Sequence, residues 1–600
     1  MSPTTGLTLQ AWRQYHQQHA EAVGETLENL LASLSTTDPA WIYLITPQQL
    51  HDQIAPLLAI YAENPASLPL FGVPFAVKDN IDVAGCPTSA ACPDFTYVAQ
   101  QDATVVARLK AAGAVAIGKT NLDQFATGLV GTRSPFGAVA NTFNAQYVSG
   151  GSSSGSASVL ARGLVGFSLG TDTAGSGRVP AAFNNIVGLK PTKGWLSAAG
   201  VVPACRLNDT ISIFALTVED AFQVADIAGG YDASDAYSRV NPALAPAALS
   251  AAPRFAVPAT PIFFDDYLAQ RAWESACDRL KSMGATLHPI DFAPFERLAE
   301  QLYQGPWVAE RTASVGDMLQ QPQKMDPVVY SIIASGERFS AVDAFKAEYL
   351  RAELTRRIQQ TLQPFDALVV PTTPTIHTLA EIAQEPIRYN SQFGVYTNFT
   401  NLADLAALAL PGPFRADDLP AGITLIAPAW HDRALAAFGQ QWQAGQTLGL
   451  GALDHAQPAN PQPLPPSPHH VRVAVVGAHL SGMPLNHQLT NRDAVLVEET
   501  QTAACYRLYA LADTQPAKPG LAKAAQGGAI AVELWDIPLA RFGEFVAEIP
   551  APLGIGTLTL ADGRQVKGFI CEPAALSDAV DITGFGGWRN WLAHQETSHV

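Results

Sequence analysis

Three short segments bring together side chains able to open an amide bond without a histidine. An apolar run ending in a lysine, GVPFAVKDN (72–80), supplies an amine. GGSSSGSA (150–157) places serine hydroxyls behind two glycines, and GTDTAGSGR (170–178) places another among small residues. Together they offer a base, a relay hydroxyl and a nucleophilic hydroxyl. A lysine near its ordinary pKa of about 10.4 is useless as a base at neutral pH; burial must lower it by about three units, a differential cost of roughly 4 kcal/mol to the ammonium. Small residues on both sides of Ser176 let consecutive backbone N–H groups point at one spot, the requirement of an oxyanion hole. Alone, GGSSSG would read as a flexible loop and Lys78 as a surface lysine; the combination reads as an amide hydrolase.

Such groups need a scaffold, and the chain alternates helix-like and strand-like segments up to about residue 450. Asp102 to Gly113 predicts a helix, with Asp102 as its cap and Gly113 at its C-terminal end. AVAIGKT follows as a short buried strand, and FDALVVP (365–371) is another. The segment between the serine motifs has room to run as a helix and return as a strand. Leu27, Leu30, Leu31 and Leu34 at helical spacing predict amphipathic helices packed on this body. The pattern is α/β layering around a mixed sheet. HAQPANPQPLPPSPHH (455–470) predicts a semi-rigid spacer, which divides the chain into domains at 1–454 and 471–600. Beyond it, short β-rich runs separated by turns such as Ala561-Asp562-Gly563, with helices around Pro538–Phe545 and Trp588–His594, predict a compact α+β or barrel-like module.

Bulk properties bound the function. With 48% hydrophobic and 15% charged residues over 600 positions, the chain describes a globular enzyme of more than one domain. A formal net charge of −17 opposes binding to nucleic acid or to anionic membranes, while leaving room for a local cationic pocket. Six dispersed cysteines read as reduced thiols. No basic–apolar leader begins the sequence and no apolar run approaches a membrane span, so a cytoplasmic location is expected. No metal-ligand cluster or nucleotide loop is apparent, and no cofactor is expected.

GVPFAVKDN, GGSSSGSA and GTDTAGSGR in this order and spacing resemble the amidase signature family of serine hydrolases. The resemblance covers most of residues 40 to 430, including VGLKPTKGWLS (187–197) and DALVVPTTP (366–374). It implies Lys78 as ultimate base, Ser152 as relay following a cis peptide bond, and Ser176 as nucleophile. The oxyanion would then be held by N–H groups around Thr173, Ala174, Gly175 and Ser176. Arg178 reads as a brace of the nucleophile loop and Asp172 as a holder of backbone or of a lysine. Lys190 and Lys193 read as structural.

These motifs do not name the amide. In LYQGPWVAERTASVG (302–316), Pro306 suits the first position of a helix that carries Arg311, with Tyr303 just ahead. A guanidinium fork is a good receptor for a carboxylate, although an ordinary helix arginine paired with a neighbour would look the same. GPWVAER, YTNFTNLADLAALALP (396–411) and the region after 470 are together similar to the allophanate hydrolase family, nearly full length. That resemblance implies hydrolysis of allophanate (urea-1-carboxylate) to ammonia and carbon dioxide, with Tyr303 and Arg311 binding the carboxylate end. It also implies a γ-glutamyl-cyclotransferase-like second domain concerned with the carboxylated intermediate, His479 and Glu533 being expected to line its pocket. A homodimer follows from the same likeness, whereas functional association with a biotin-dependent urea carboxylase is expected from pathway logic and not from residues. Three alternatives stay open at this point: a hydrolase of small aliphatic amides, an amidotransferase component that works on charged transfer RNA, and an idle amidase scaffold serving assembly.

Overall fold

The computed structural model describes residues 8–243, 245–455, 464, 467–512 and 514–598, so most of the proline-rich segment lies outside the described residues. The chain divides into two compact units, one of residues 1–241 and 252–461, the other of 462–600 together with the detached stretch 242–251.

The first unit is built on one eleven-stranded sheet. In chain order its strands are β1 (Trp41–Leu44), β2 (Pro74–Lys78), β3 (Val115–Thr120), β4 (Phe167–Asp172), β5 (Val187–Lys190), β6 (Thr210–Ala215), β7 (Arg254–Pro258), β8 (Thr286–Ile290), β9 (Ala367–Pro371), β10 (Leu405–Pro411) and β11 (Gly422–Pro428). Across the sheet they lie in the order β1-β3-β2-β4-β6-β5-β10-β11-β9-β7-β8. β3, β2 and β4 run parallel, as do β9, β7 and β8, whereas the strands between β4 and β9 pair antiparallel. This is the mixed sheet the alternation of segments predicts. β2, β3 and β4 are buried at every position, which is why they read as continuous apolar runs rather than alternating ones. Phe75 and Phe167 stack across β2 and β4 with ring centroids 5.0 Å apart.

Two registers matter for the site. Val77 of β2 pairs with Leu169 of β4, so Lys78 at the end of β2 comes level with Gly170 and Thr171. The helix Ser154–Ala161 after the first serine motif is buried throughout. Its small side chains let it lie against the sheet, where Ser156 Oγ donates to the Leu169 carbonyl at 2.9 Å.

Two local expectations are corrected. The helix after residue 102 spans Thr104–Ala111, and its cap position, Ala103, has no capping side chain. Asp102 instead accepts the Ala84 amide at 2.8 Å and pairs with Lys110 at 2.9 Å. Pro306 is not the first helical residue: that helix spans Val308–Val315 with Trp307 at its cap. The N-terminal leucines do lie on helical structure, within Val23–Ala32 and just after it, with Leu27 and Leu30 buried.

The second unit has α+β construction. One sheet takes β12 (His470–Val475), β13 (Val495–Gln501), β16 (Ala531–Pro538), β17 (Leu553–Thr559) and β18 (Gln565–Cys571) in the order β13-β16-β12-β18-β17. A three-stranded sheet is formed by β14 (Tyr506–Ala510) between β15 (Pro519–Lys523) and Val580–Asp581. Helices Leu539–Ala547 and Trp588–Ser598 accompany them, and Gly563 supplies the left-handed residue of the β17–β18 turn, at φ +90°. Val473, Leu534, Trp535 and Phe569 belong to its core.

Candidate active site

Lys78 is wholly buried and its Nζ lies 2.7 Å from Ser152 Oγ and 2.7 Å from Thr171 Oγ1. Burial lowers its pKa to about 7, against the opposing pull of the Asp123, Asp172 and Asp209 carboxylates and with a smaller push from Arg311. Near neutral pH the amine is therefore available as a base. A neutral amine has one lone pair and two N–H bonds: the lone pair can receive the Ser152 proton while Thr171 accepts from the nitrogen. Sequence alone does not single out Thr171, although it stands inside the second serine motif. The register of β2 against β4 is what brings it to the lysine.

The Gly151–Ser152 peptide is cis. Only glycine fits at 151, since a Cβ there would sit 2.2 Å from Asp123 Oδ2 and 2.6 Å from the Gly131 nitrogen. Ser176 is buried in the loop after β4, and among the described residues its hydroxyl has no hydrogen-bond partner. The Ser152–Ser176 contact of the expected relay is thus not made in this structure, and Ser152 is engaged with Lys78.

The Ser176 loop is held from behind by a buried ion pair. Arg178 donates through Nε and one terminal nitrogen to both oxygens of Asp172, each at 2.9 Å. It also reaches Thr400 Oγ1 at 2.9 Å and the Thr397 carbonyl at 3.1 Å. Burial would raise the Asp172 carboxyl, but Arg178 and the Lys190 charge hold it below the usual range. Both residues brace, as expected. The oxyanion assignment needs correction at one position: the Gly175 N–H is already given to Asp172 Oδ1 at 3.0 Å. The amides of Thr173, Ala174 and Ser176 have no acceptor among the described residues and remain candidates. Gly175, at φ +132°, passes so close to Thr397 that a Cβ would lie 2.4 Å from its Oγ1.

Lys190 shows why a lowered pKa alone does not identify a base. Burial brings it too to about 7, yet its Nζ donates to the carbonyls of Leu405 (2.6 Å) and Pro191 (2.9 Å), with no hydroxyl to deprotonate. Lys193 Nζ likewise meets the Leu207 carbonyl at 3.3 Å.

Arg311 is buried on the helix Val308–Val315. It donates to Tyr303 Oη at 2.9 Å, Thr127 Oγ1 at 2.8 Å and the Ala126 carbonyl at 3.2 Å, and its Nε has no partner. Its guanidinium lies 5.0 Å from the centroid of the Tyr303 ring. The structure joins Tyr303 and Arg311 directly and puts Arg311 within electrostatic reach of Lys78. Tyr303 also lines a cleft of about 710 Å³, alongside Arg133, Asn390 and Asn398. Asp123, Thr127 and Asp209 escape sequence reasoning; Asp209 accepts from Thr173 Oγ1 and the Ala204 amide and so anchors the start of the nucleophile loop.

In the second unit Glu533 lines a cleft of about 330 Å³ with Trp588 and Arg589. His479 is not among its lining residues: its ring stacks on Phe569 (centroids 4.9 Å apart), with Nε2 2.8 Å from Gln488 Oε1. Glu533 and His479 therefore do not line this cleft together.

The family model described as Amidase matches residues 25–436. The chain belongs to the amidase family. Outside the amidase region, a second model, Allophanate hydrolase C-terminal domain, matches residues 471–593. The chain is 44% identical to the urea amidolyase of Saccharomyces cerevisiae over 98% of its own length, while spanning about a third (33%) of that longer protein. It is similar to the solved Kluyveromyces lactis allophanate hydrolase at 44% identity, with a TM-score of 0.84, covering 99% of this chain and 100% of that one. Among amidase-family relatives, a glutamyl-tRNA(Gln) amidotransferase component from Symbiobacterium thermophilum is 35% identical over 62% of this chain and 83% of its own.

Proposed function

We propose that the chain hydrolyses allophanate, and that Lys78, Ser152 and Ser176 do the chemistry. The observation that carries the reaction type is the buried Lys78 amine 2.7 Å from Ser152 Oγ, with its pKa brought to about 7. Substrate entry would turn the Ser152 oxygen toward Ser176. Ser176 Oγ then attacks the carboxamide carbon, its proton passing to Ser152 as the Ser152 proton passes to Lys78. The amides of Thr173, Ala174 and Ser176 are the donors offered to the developing oxyanion. The proton returns to the leaving amine, ammonia departs, and water resolves the acyl-enzyme. Arg311, with a free Nε beside Tyr303, is the receptor offered to the substrate carboxylate.

Resolution of that acyl group leaves a nitrogen bearing two carboxylates, which must lose carbon dioxide before the second ammonia is free. We assign that step to the second unit, supported by the allophanate hydrolase C-terminal model it matches and by the Glu533 cleft. Because allophanate is a carboxylated urea, a urea-carboxylating reaction must supply it. The likeness to urea amidolyases, longer proteins of which this chain spans a third, supports work beside such an enzyme. A homodimer completes the reading. No helix among the described residues is long and apolar enough to cross a membrane, and the six cysteines are free thiols, which suits the cytoplasm.

The test measures ammonia release from allophanate and from simple aliphatic amides, with Ser176→Ala as control. Turnover of allophanate that Ser176→Ala abolishes is the expected result. Turnover of simple amides with none of allophanate would overturn the substrate, and equal activity of Ser176→Ala would overturn the mechanism.

A further inference from the structure

We infer that Asp123 is a positioning residue that ties the relay to the recognition arginine, its carboxylate holding the loop that meets the arginine and its backbone N–H holding the relay turn. The inference rests on the roles proposed above for Lys78, Ser152 and Arg311.

Asp123 follows β3 and is fully buried. It has no cation within ion-pair distance among the described residues; its two oxygens are instead filled by backbone amides. Oδ2 accepts from Val130 at 3.1 Å and Gly131 at 3.0 Å, and Oδ1 accepts from Arg133 at 3.0 Å. Three donors converging on two oxygens call for an acceptor-only group, which a carboxylate is and an amide side chain is not. Its own N–H donates to the Ser152 carbonyl at 3.2 Å, so the residue grips the relay turn as well. Glycines flank it on both sides: a Cβ on Gly151 would stand 2.2 Å from Oδ2, and a Cβ on Gly128 would stand 2.5 Å from it.

The loop held by those three amides is the one that meets Arg311. Thr127 accepts from Arg311 through its hydroxyl and from Arg133 through its carbonyl, at 2.8 and 2.9 Å. A continuous path therefore runs from Lys78 through Ser152, Asp123 and Arg133 to Thr127, Arg311 and Tyr303. The charged groups acting on Lys78 are Asp123, Asp172, Asp209 and Arg311. Asp172 is neutralised by Arg178, and Asp209 is spent on Thr173 and the 204–205 amides. Asp123 is the leading carboxylate among those favouring a protonated Lys78, against the larger effect of burial, so it both holds the relay turn and bears on the pH at which the base works.

The experiment is the pH profile of kcat/KM for allophanate, wild type against Asp123→Asn. The variant keeps the shape of the side chain but removes the charge and presents a donor to donors. Its kcat/KM should fall by roughly 100-fold, as expected for a site displaced by about an ångström. The midpoint of its rising limb should move to lower pH by roughly one unit, because a counter-charge to the lysine is gone. A folded Asp123→Asn whose midpoint coincides with that of wild type would overturn the inference, because a role in folding alone leaves that midpoint where it is. Wild type that fails to turn over allophanate would instead sink the underlying functional reading. Should Asp123→Asn not fold, Gly128→Ala takes its place. Residue 128 has no left-handed φ, so the new methyl presses chiefly on the Asp123 carboxylate. A midpoint of the rising limb displaced from that of wild type in Gly128→Ala supports the inference, and an unchanged midpoint overturns it.

Discussion

Lys78 owes its chemistry to where β2 leaves it, inside the protein and against two hydroxyls. Its pKa near 7 lies below the ordinary lysine value of 10.5, so folding strips a proton from it between those limits. The proposed mechanism needs the neutral amine, so kcat/KM should rise with pH through about 7 with the slope of one proton, measured by initial rates across pH 5.5 to 9. Stability follows the same group. Between pH 7 and 10.5 the unfolded chain binds a proton the folded chain has released, so this group's contribution improves as pH rises through that window and is worst below 7. Lys78→Met should therefore abolish hydrolysis and raise the melting temperature more at pH 6 than at pH 9, by the equivalent of a few kcal/mol at the acid end. Lys190, with a similar shift, remains in both proteins and cancels from the comparison. At this scale the sequence is informative because the proposed catalytic residues sit in contiguous motifs. Thr171 and Asp123 are not legible, since nothing local says which hydroxyl a lysine will face or which amides a carboxylate will collect.

The elements that carry these residues divide by how local their causes are. Strands β2, β3, β4 and β9 can be read directly, as apolar runs bounded by turn formers. Their register cannot, and register decides that Lys78 meets Thr171. The cap at Asp102 fails for the same reason, because the carboxylate finds a partner across the fold in Lys110 and the Ala84 amide. The helix Val308–Val315 holds Arg311 with three of its nitrogen contacts already committed, leaving a fork whose geometry is set before substrate arrives. A lysine keeps the charge but not the fork. Arg311→Lys should raise KM for allophanate by roughly tenfold or more while changing kcat less, separable by saturation kinetics. The Arg178–Asp172 clamp belongs to the loop rather than to the chemistry. Arg178→Met strands a buried carboxylate and should cost about 3–5 kcal/mol of stability, visible as a lowered denaturant midpoint.

Two chemistries are proposed for one molecule, and the second unit is where they can be told apart. Its β-rich runs and the Ala561–Gly563 turn are legible, but the stretch 242–251 is not: it groups with this unit from far upstream, and its sequence carries no strand period to announce that. Glu533 on β16 is a buried carboxylate held from several sides. The carboxylate accepts the Ser481 amide at 2.8 Å, Ser481 Oγ at 3.0 Å and Trp535 Nε1 at 3.1 Å on one oxygen, and Arg589 at 2.8 Å on the other. Arg589 is half exposed at the cleft, so a dicarboxylate entering there would meet a guanidinium whose direction Glu533 determines. Glu533→Gln keeps the volume and turns one acceptor into a donor facing donors, which should release Arg589 from its orientation. Because Lys78, Ser152 and Ser176 all lie in the first unit, the first ammonia should appear at the wild-type rate. Carbon dioxide and the second ammonia should then lag behind it, as should happen in His479→Ala if that imidazole takes part. The measurement is a stopped-time assay of both products from the same sample. Should carbon dioxide keep pace with the first ammonia in both variants, with melting temperatures unchanged, the second unit has no part in decarboxylation, and the amidase unit alone accounts for the turnover.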